Sequence, residues 1–416
     1  MRSKKPHSIK HKLSVAACAL ISASGSANAQ AQESPWQVDT SYLSYTEADD
    51  RVSVSKTLAN LTRSTDTGSM NVNLVHDTMS GASPTGAIRS NDSAVTYTSA
   101  SGGAGFNTGS SGDYSLSAFD DTRIQAGLGL ERELSRGLTL SYGGAVSQES
   151  DYDSFGGNVG MARESADKVS TYSAGLALTS DQIYRSDTGG TPEPLANTQQ
   201  ALPFSAGSRN TVDAIIGFSR VLNRQTVAQL NFSAGLSNGY HSDPYKIISA
   251  ADDADRILAN FHDSRPDSRL RTSVYGKVAH QLAGSDNSIH LSYRLYQDDW
   301  GIQSHTADLR YRYQLDRVQY LEPHLRFYLQ SEAEFYQRKL SVDEGLNPIL
   351  PESGFASADY RLDAMTSATL GLKYGVRISR NTDLRVRAEY LDQRFSTADY
   401  EQLSAVIFQG SLKFSF

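Results

Sequence analysis

Segment after segment of this chain alternates apolar and polar residues with a period of two. Ile289, Leu291, Tyr293 and Leu295 alternate with His290, Ser292, Arg294 and Tyr296. Leu309, Tyr311 and Tyr313 alternate with Asp308, Arg310 and Arg312, and Leu325, Phe327 and Leu329 with Arg326, Tyr328 and Gln330. Leu370, Leu372, Tyr374, Val376 and Ile378 alternate with Lys373, Arg377 and small residues, and Leu384, Val386, Ala388 and Tyr390 with Asp383, Arg385, Arg387 and Glu389. At the end, Val406, Phe408, Leu412, Phe414 and Phe416 share one phase with Gly410 among them. Successive side chains of a strand point to opposite faces, so each run predicts a strand with one apolar face.

A soluble β-sandwich alternates too, with its apolar face packed inward. Three features favour a membrane barrel: strands of the roughly 9–11 residues needed to span, an export signal, and a terminal aromatic. Arg2, Lys4, Lys5, Lys10 and Lys12 precede the short apolar core Leu13 to Ile21, and Ala27-Asn28-Ala29 is a small-x-small cleavage site. This predicts a signal peptide over 1–29, a short periplasmic lead over 30–35 and a barrel over 36–416. Backbone groups in lipid must all be paired, so the sheet has to close. Phe414 and Phe416 on the last strand resemble the assembly signal of outer-membrane barrels, although Gly410 stands one place away from the usual glycine.

Outer-membrane barrels have short periplasmic turns and longer outer loops. Short turns are expected near Arg63–Ser69, Glu133–Gly137, Glu164–Lys168, Leu222–Gln225, Gly284–Asn287, Leu315–Arg317 and Ser379–Thr382. Thr78–Asp120, Ile183–Arg209, Asn238–Ser268 and Gln337–Asp363 are the main long connections. The fold class expected is therefore all-β, a transmembrane antiparallel up-and-down barrel of about sixteen strands, with fourteen if one hairpin is spurious. The six-residue lead leaves no room for a plug, and neither a passenger nor a peptidoglycan-binding domain is expected.

Lipid excludes charge, so the charged phase faces the lumen. Arg294, Arg310, Arg312, Arg326, Arg377, Arg385 and Arg387, with Asp308, Glu332, Glu334 and Glu389, are the expected lumen-lining residues. They suit either a salt-bridge network or an anion-attracting path. The turn assignment gathers a second set on one outer rim: Asp77, Ser80, Ser83, Glu149, Asp151, Tyr152, Asp243, Asp298, Asp299, His305, Asp359 and Arg361.

These segments resemble an uncharacterised family of bacterial outer-membrane proteins. The match lies in D-x-x-S-G-A-S-P-x-G at Asp77 to Gly86, G-Y-x-S-D-P-Y-K at Gly239 to Lys246 and Y-R-x-Y-x-D-D-W-G at Tyr293 to Gly301. R-x-Y-x-Q-x-x-A-x-F-Y at Arg326 to Tyr336 and S-A-D-Y-R-L at Ser357 to Leu362 extend it. The resemblance implies the barrel and no particular activity.

Composition narrows the chemistry. The single cysteine, Cys18, lies in the signal core, so the mature chain has no disulfide or thiolate site. The formal charge of -7 becomes -12 once the five signal cations are removed (-7 - 5), which argues against nucleic acid. The rim carboxylates are hard ligands suited to Ca²⁺, but no linear calcium loop or zinc spacing appears, and whether a metal binds is left open. Ser83 precedes Pro84 and lies in no G-x-S-x-G elbow, and nothing ties His305 and Asp298 to a nucleophile. The reading is a non-enzymatic passive channel or solute-binding transporter. Its alternatives are a rim-site metal-dependent binder or enzyme, and a closed structural or partner-presenting barrel. No cofactor is expected. The expected partners are outer-membrane lipid, the barrel-assembly machinery through the C-terminal strand, and a small anionic solute.

Overall fold

A computed structural model describes residues 36–48, 51–88, 95–98, 104–107, 116–200 and 205–416. The expected signal and lead, 1–35, lie outside the described residues.

Twenty strands follow in order. They are β1 (Trp36–Glu47), β2 (Val52–Thr65), β3 (Gly68–Pro84), β4 (Val95–Thr98), β5 (Ala104–Asn107), β6 (Leu116–Ser135) and β7 (Leu138–Gln148). Then come β8 (Tyr152–Glu164), β9 (Ser170–Ile183), β10 (Gly207–Asn223), β11 (Thr226–Gly239), β12 (Ile247–Ala251), β13 (Ile257–His262) and β14 (Ser268–Gln281). The last six are β15 (Ser288–Asp298), β16 (Gln303–Gln314), β17 (Gln319–Gln330), β18 (Met365–Ser379), β19 (Thr382–Phe395) and β20 (Gln402–Ser415). Sixteen of them form one closed up-and-down barrel, while β4–β5 and β12–β13 are separate hairpins within connections. The sheet closes where β1 pairs with β20, Val38 opposite Phe414 and Tyr42 opposite Gly410.

The apolar phase faces outward. Leu370 is 62% exposed, Phe327 57% and Val406 57%, the reverse of a sandwich, and a continuous belt of this kind belongs against lipid. Phe414 and Phe416 are on the same outer face and stack at 5.7 Å between centroids. Closure leaves the sheet without a free edge, as a spanning sheet requires.

Seven short turns define one end, including 66–67, 136–137, 224–225 and 380–381. At 136–137 the tight reversal places Gly137 at φ +73°, and the register shifts between Glu133 and Ser135, a bulge at the hairpin. The longer connections lie at the other end, and the true apolar cores lie there too. Trp300, Ile302, Ala333, Phe335, Tyr336 and Leu362 form one cluster, and Ile248, Ala250, Phe261, Leu340 and Ala356 a second.

Two expected boundaries are corrected. The connection after β3 does not begin at Thr78, because β3 pairs with β6 as far as Pro84 opposite Leu116. Glu332 and Glu334 do not belong to a strand wall: β17 ends at Gln330, and both are exposed in the segment that follows.

Candidate functional site

The inner face of β14 to β19 is basic and aromatic. At its centre, His324 on β17 places Nδ1 2.7 Å from Glu389 Oε1 on β19, across β18, and Nε2 2.6 Å from Asp308 Oδ2 on the adjacent β16. Ionised carboxylates only accept, so both ring nitrogens donate. Arg310 Nε reaches Asp308 at 3.2 Å, and Arg387 lies 3.4 Å from Glu389. Toward the short-turn end Lys373 pairs with Glu322, Arg385 with Asp39 at 2.8 Å and Arg377 with Asp383 at 3.4 Å.

Three arginines on this face have no ion pair among the described residues. Arg312 lies over the Tyr320 ring at 3.7 Å, and Arg294 is 5.7 Å from the Tyr275 centroid. Arg294 and Arg326 are exposed although they carry the inward phase, so no other side chain fills the space they face. Tyr320 also covers its register partner Gly375, where an added Cβ would stand 2.2 Å from the ring.

The opposite wall is nearly bare. In the sheet order β6 is fourth and β16 twelfth, eight places apart in a ring of sixteen. On β3 and β6 to β9 the inward register row runs Asn71, Gly129, Gly143, Asn158, Ala177. Short side chains here leave room beside the arginines, and barrels of sixteen strands are wide enough to hold water.

The outer rim is drawn together by connections that cross the mouth. Lys246, in the segment between β11 and β12, donates to Ser83 Oγ at 3.0 Å and to the Pro84 carbonyl. Ile247 N donates to the Thr85 carbonyl at 2.9 Å. β3 and β11 stand six places apart, about 29 Å along the wall at roughly 4.8 Å per strand, so this contact spans the opening. Segment 331–364 joins from the far side: Leu340 N bonds the Ser249 carbonyl at 2.9 Å, and Ser264 N the Ala356 carbonyl at 3.0 Å. Its Tyr360 packs edge-on against Phe395 and Tyr400, in a cluster with Leu403 and Ala405 that Tyr45 and Leu391 also join at the outer ends of β1, β19 and β20.

Buried charges lock this cap. Asp359 accepts from Arg265 at 2.8 Å and from Arg361, which also reaches Asp243 at 2.9 Å; Arg265 pairs with Asp263 at 2.7 Å. Burial would raise the Asp359 carboxyl, yet Arg361, Arg265 and Lys246 hold it well below the usual range. Burial pushes Lys246 down to about 8 despite the nearby Asp359, and His262 down to about 4.

The remaining rim residues divide into three groups. Asp77 accepts from Arg123 Nε at 2.8 Å, Glu149 lies 3.9 Å from Arg123, and Ser80 sits between Ser53 and Asp120 in register. Asp121, Glu149 and Asp151 each place a carboxylate oxygen within 4.8 Å of the others, all buried; among the described residues these are the ones that could hold a hard cation. The Tyr152 hydroxyl accepts from Arg209 at 3.2 Å. Asp298 is a turn cap: it accepts from Arg269 at 2.5 Å, from Tyr296 Oη at 2.7 Å and from the Trp300 and Ile302 amides at 3.1 and 3.0 Å. Asp299 accepts from Leu270 N at 2.9 Å.

His305 does not meet Asp298. It stands on the outward phase of β16, where its Nδ1 is 2.6 Å from Tyr293 Oη. Ser83 meets Lys246 and neither of them. His324 and Lys246 are the residues the sequence reading passed over. His324 shares the inward phase of Arg326, a signal that was present; the partners of Lys246 are far away in sequence and give none.

Sixteen closed strands, an outward apolar belt and short turns at one end define a transmembrane barrel of the outer-membrane class. The chain belongs to the family described as Protein of unknown function (DUF3570), whose profile matches residues 10–414. No curated protein matches the sequence. Among solved structures it is similar to a bacterial polysaccharide outer membrane secretin, at 8% identity over 93% of this chain and 100% of that one, TM-score 0.46. It is also similar to the P. putida toluene transporter TodX (9%, 93% and 91%, TM-score 0.40) and to Pseudomonas aeruginosa OccD3 (9%, 92% and 92%, TM-score 0.43).

Proposed function

We propose that this protein is a passive channel or solute-binding transporter of the outer membrane whose basic inner wall takes small anionic solutes. The observation that carries the reading is the pair Arg294 and Arg326, inward, exposed and without a carboxylate partner, opposite a wall of glycine, alanine and asparagine. An unpaired guanidinium fork suits a carboxylate or phosphate, and fixed charge on a pore wall sets ion selectivity. Phe414 and Phe416 present the last strand outward in the position of an assembly signal.

Purified barrel in a planar bilayer under a salt gradient tests this. Anion-selective conductance is the expected result, with a reversal potential that moves toward zero in Arg294→Gln/Arg326→Gln. The cap across the mouth favours a second reading, a closed barrel that presents its outer surface to a partner. Absence of conductance together with absence of anion binding at the inner wall would leave that second reading standing and remove the first.

A further inference from the structure

Four arginines stand on the outward face of barrel strands at their short-turn ends, outside both the inner wall and the cap. Arg63, Arg132, Arg163 and Arg220 occupy the short-turn ends of β2, β6, β8 and β10, alternate strands of one half of the barrel. They carry the outward phase: Arg132 follows Ile124 and Leu128, Arg163 follows Val159 and Met161, and Arg220 follows Val212 and Ile216, all exposed apolar residues. Arg63 is the register partner of Trp36 and lies 5.1 Å from its ring centroid. All four are exposed, and none makes an ion pair among the described residues. Asp167 feels the charge of Arg220 but stays beyond ion-pair distance. The other half differs: the equivalent places on β14, β16, β18 and β20 hold His280, Tyr313, Ile378 and Phe414.

We infer that Arg63, Arg132, Arg163 and Arg220 form a girdle that binds the phosphates of anionic glycerophospholipids in the periplasmic leaflet, against one half of the barrel. Their stems lie along the apolar belt while their guanidinium heads reach the polar boundary. Tryptophan beside an arginine marks that boundary, where headgroups sit. The fork geometry matches phosphate oxygens bidentately. A free soluble anion would have no reason to be met only at the edge of a lipid-facing belt. Each cation near an anionic surface adds several-fold to the local share of acidic lipid.

The test uses the full-length folded protein in phosphatidylcholine nanodiscs containing a minority of phosphatidylglycerol and no lipopolysaccharide. Lipids retained by the barrel are counted by native mass spectrometry. Wild type is expected to retain phosphatidylglycerol several-fold above its bulk share. Arg132→Gln/Arg163→Gln/Arg220→Gln should fall to the bulk share, and the matching lysine variant should keep most of the enrichment. Wild type at the bulk share, or a glutamine variant as enriched as wild type, overturns the proposal. If the glutamine variant does not fold, the same lipids are counted for wild type in rising salt, where enrichment that persists undiminished overturns it equally.

Discussion

Lys246 Nζ sits 3.0 Å from Ser83 Oγ although 163 residues separate them in the chain. The contact joins the segment after β11 to the end of β3, on the other side of the barrel mouth. It makes the outer connections one cap instead of independent loops, and the ionic cluster around Asp359 completes the joint.

Asp359 is fully buried between Arg265 and Arg361. Replacing it with alanine leaves the nearly buried Arg265 and the half-buried Arg361 without their shared acceptor, a loss of about 3 kcal/mol, the low end for a broken buried pair. Asp359→Ala should make 240–267 and 331–364 sensitive to protease added from outside while the barrel keeps its heat-modifiable migration on gels. Unchanged digestion would show that the cap does not depend on this cluster.

The cap should respond to pH in one direction at both ends of the scale. Lys246 titrates at about 8 when folded against an ordinary 10.5. Between these values the unfolded lysine holds a proton that the folded one has lost, so stability rises with pH across that window. His262 titrates at about 4 against 6.5, so between 6.5 and 4 the unfolded state takes up the extra proton and stability falls as pH falls. Hydrogen exchange of the cap amides at several pH values reads both limbs, and His262→Gln should flatten the acidic one only.

Asp298 caps the Trp300 turn with five hydrogen bonds, two of them from Arg269. Asp298→Ala should lower stability by about 3 kcal/mol, the low end for a broken buried ion pair, and release the Trp300–Phe335 contact at 5.1 Å. A blue-to-red shift of tryptophan emission at lower temperature than wild type checks it.

Gly375 lets Tyr320 lie flat across β18 and carry Arg312 on its face. Gly375→Ala should displace the ring and cost about 1–3 kcal/mol by overpacking. Arg312 would then be free to move into the lumen, and single-channel conductance should change with the loss of thermal stability; stability equal to wild type would count against the packing argument.

The arginine wall predicts a salt effect. If Arg294 and Arg326 act as fixed charges on a water-filled path, anion selectivity should weaken as ionic strength rises and the screening length shrinks from about 10 Å at 0.1 M to about 3 Å at 1 M. Selectivity independent of salt would place its origin elsewhere.

The barrel itself was legible in the sequence. A strand's two faces are set by its own alternation, lipid admits only one kind of face, and turn length distinguishes the two ends, so the up-and-down topology follows from local signals and the strand number is narrowed to sixteen or fourteen. The run from Ile289 to Leu295 declares its outward side without reference to any other segment. Partnership was not legible in the same way. Asp298 and His305 are seven residues apart and face opposite sides of the wall, while Ser83 and Lys246 are far apart and touch. His324 became a link between two carboxylates only because β16 and β19 flank β17 and β18 in a particular register. Alternation determines which way a residue points; which residue it meets depends on closure of the sheet and on connections crossing the mouth. Those are contacts of long sequence separation, and only the tertiary structure decides them.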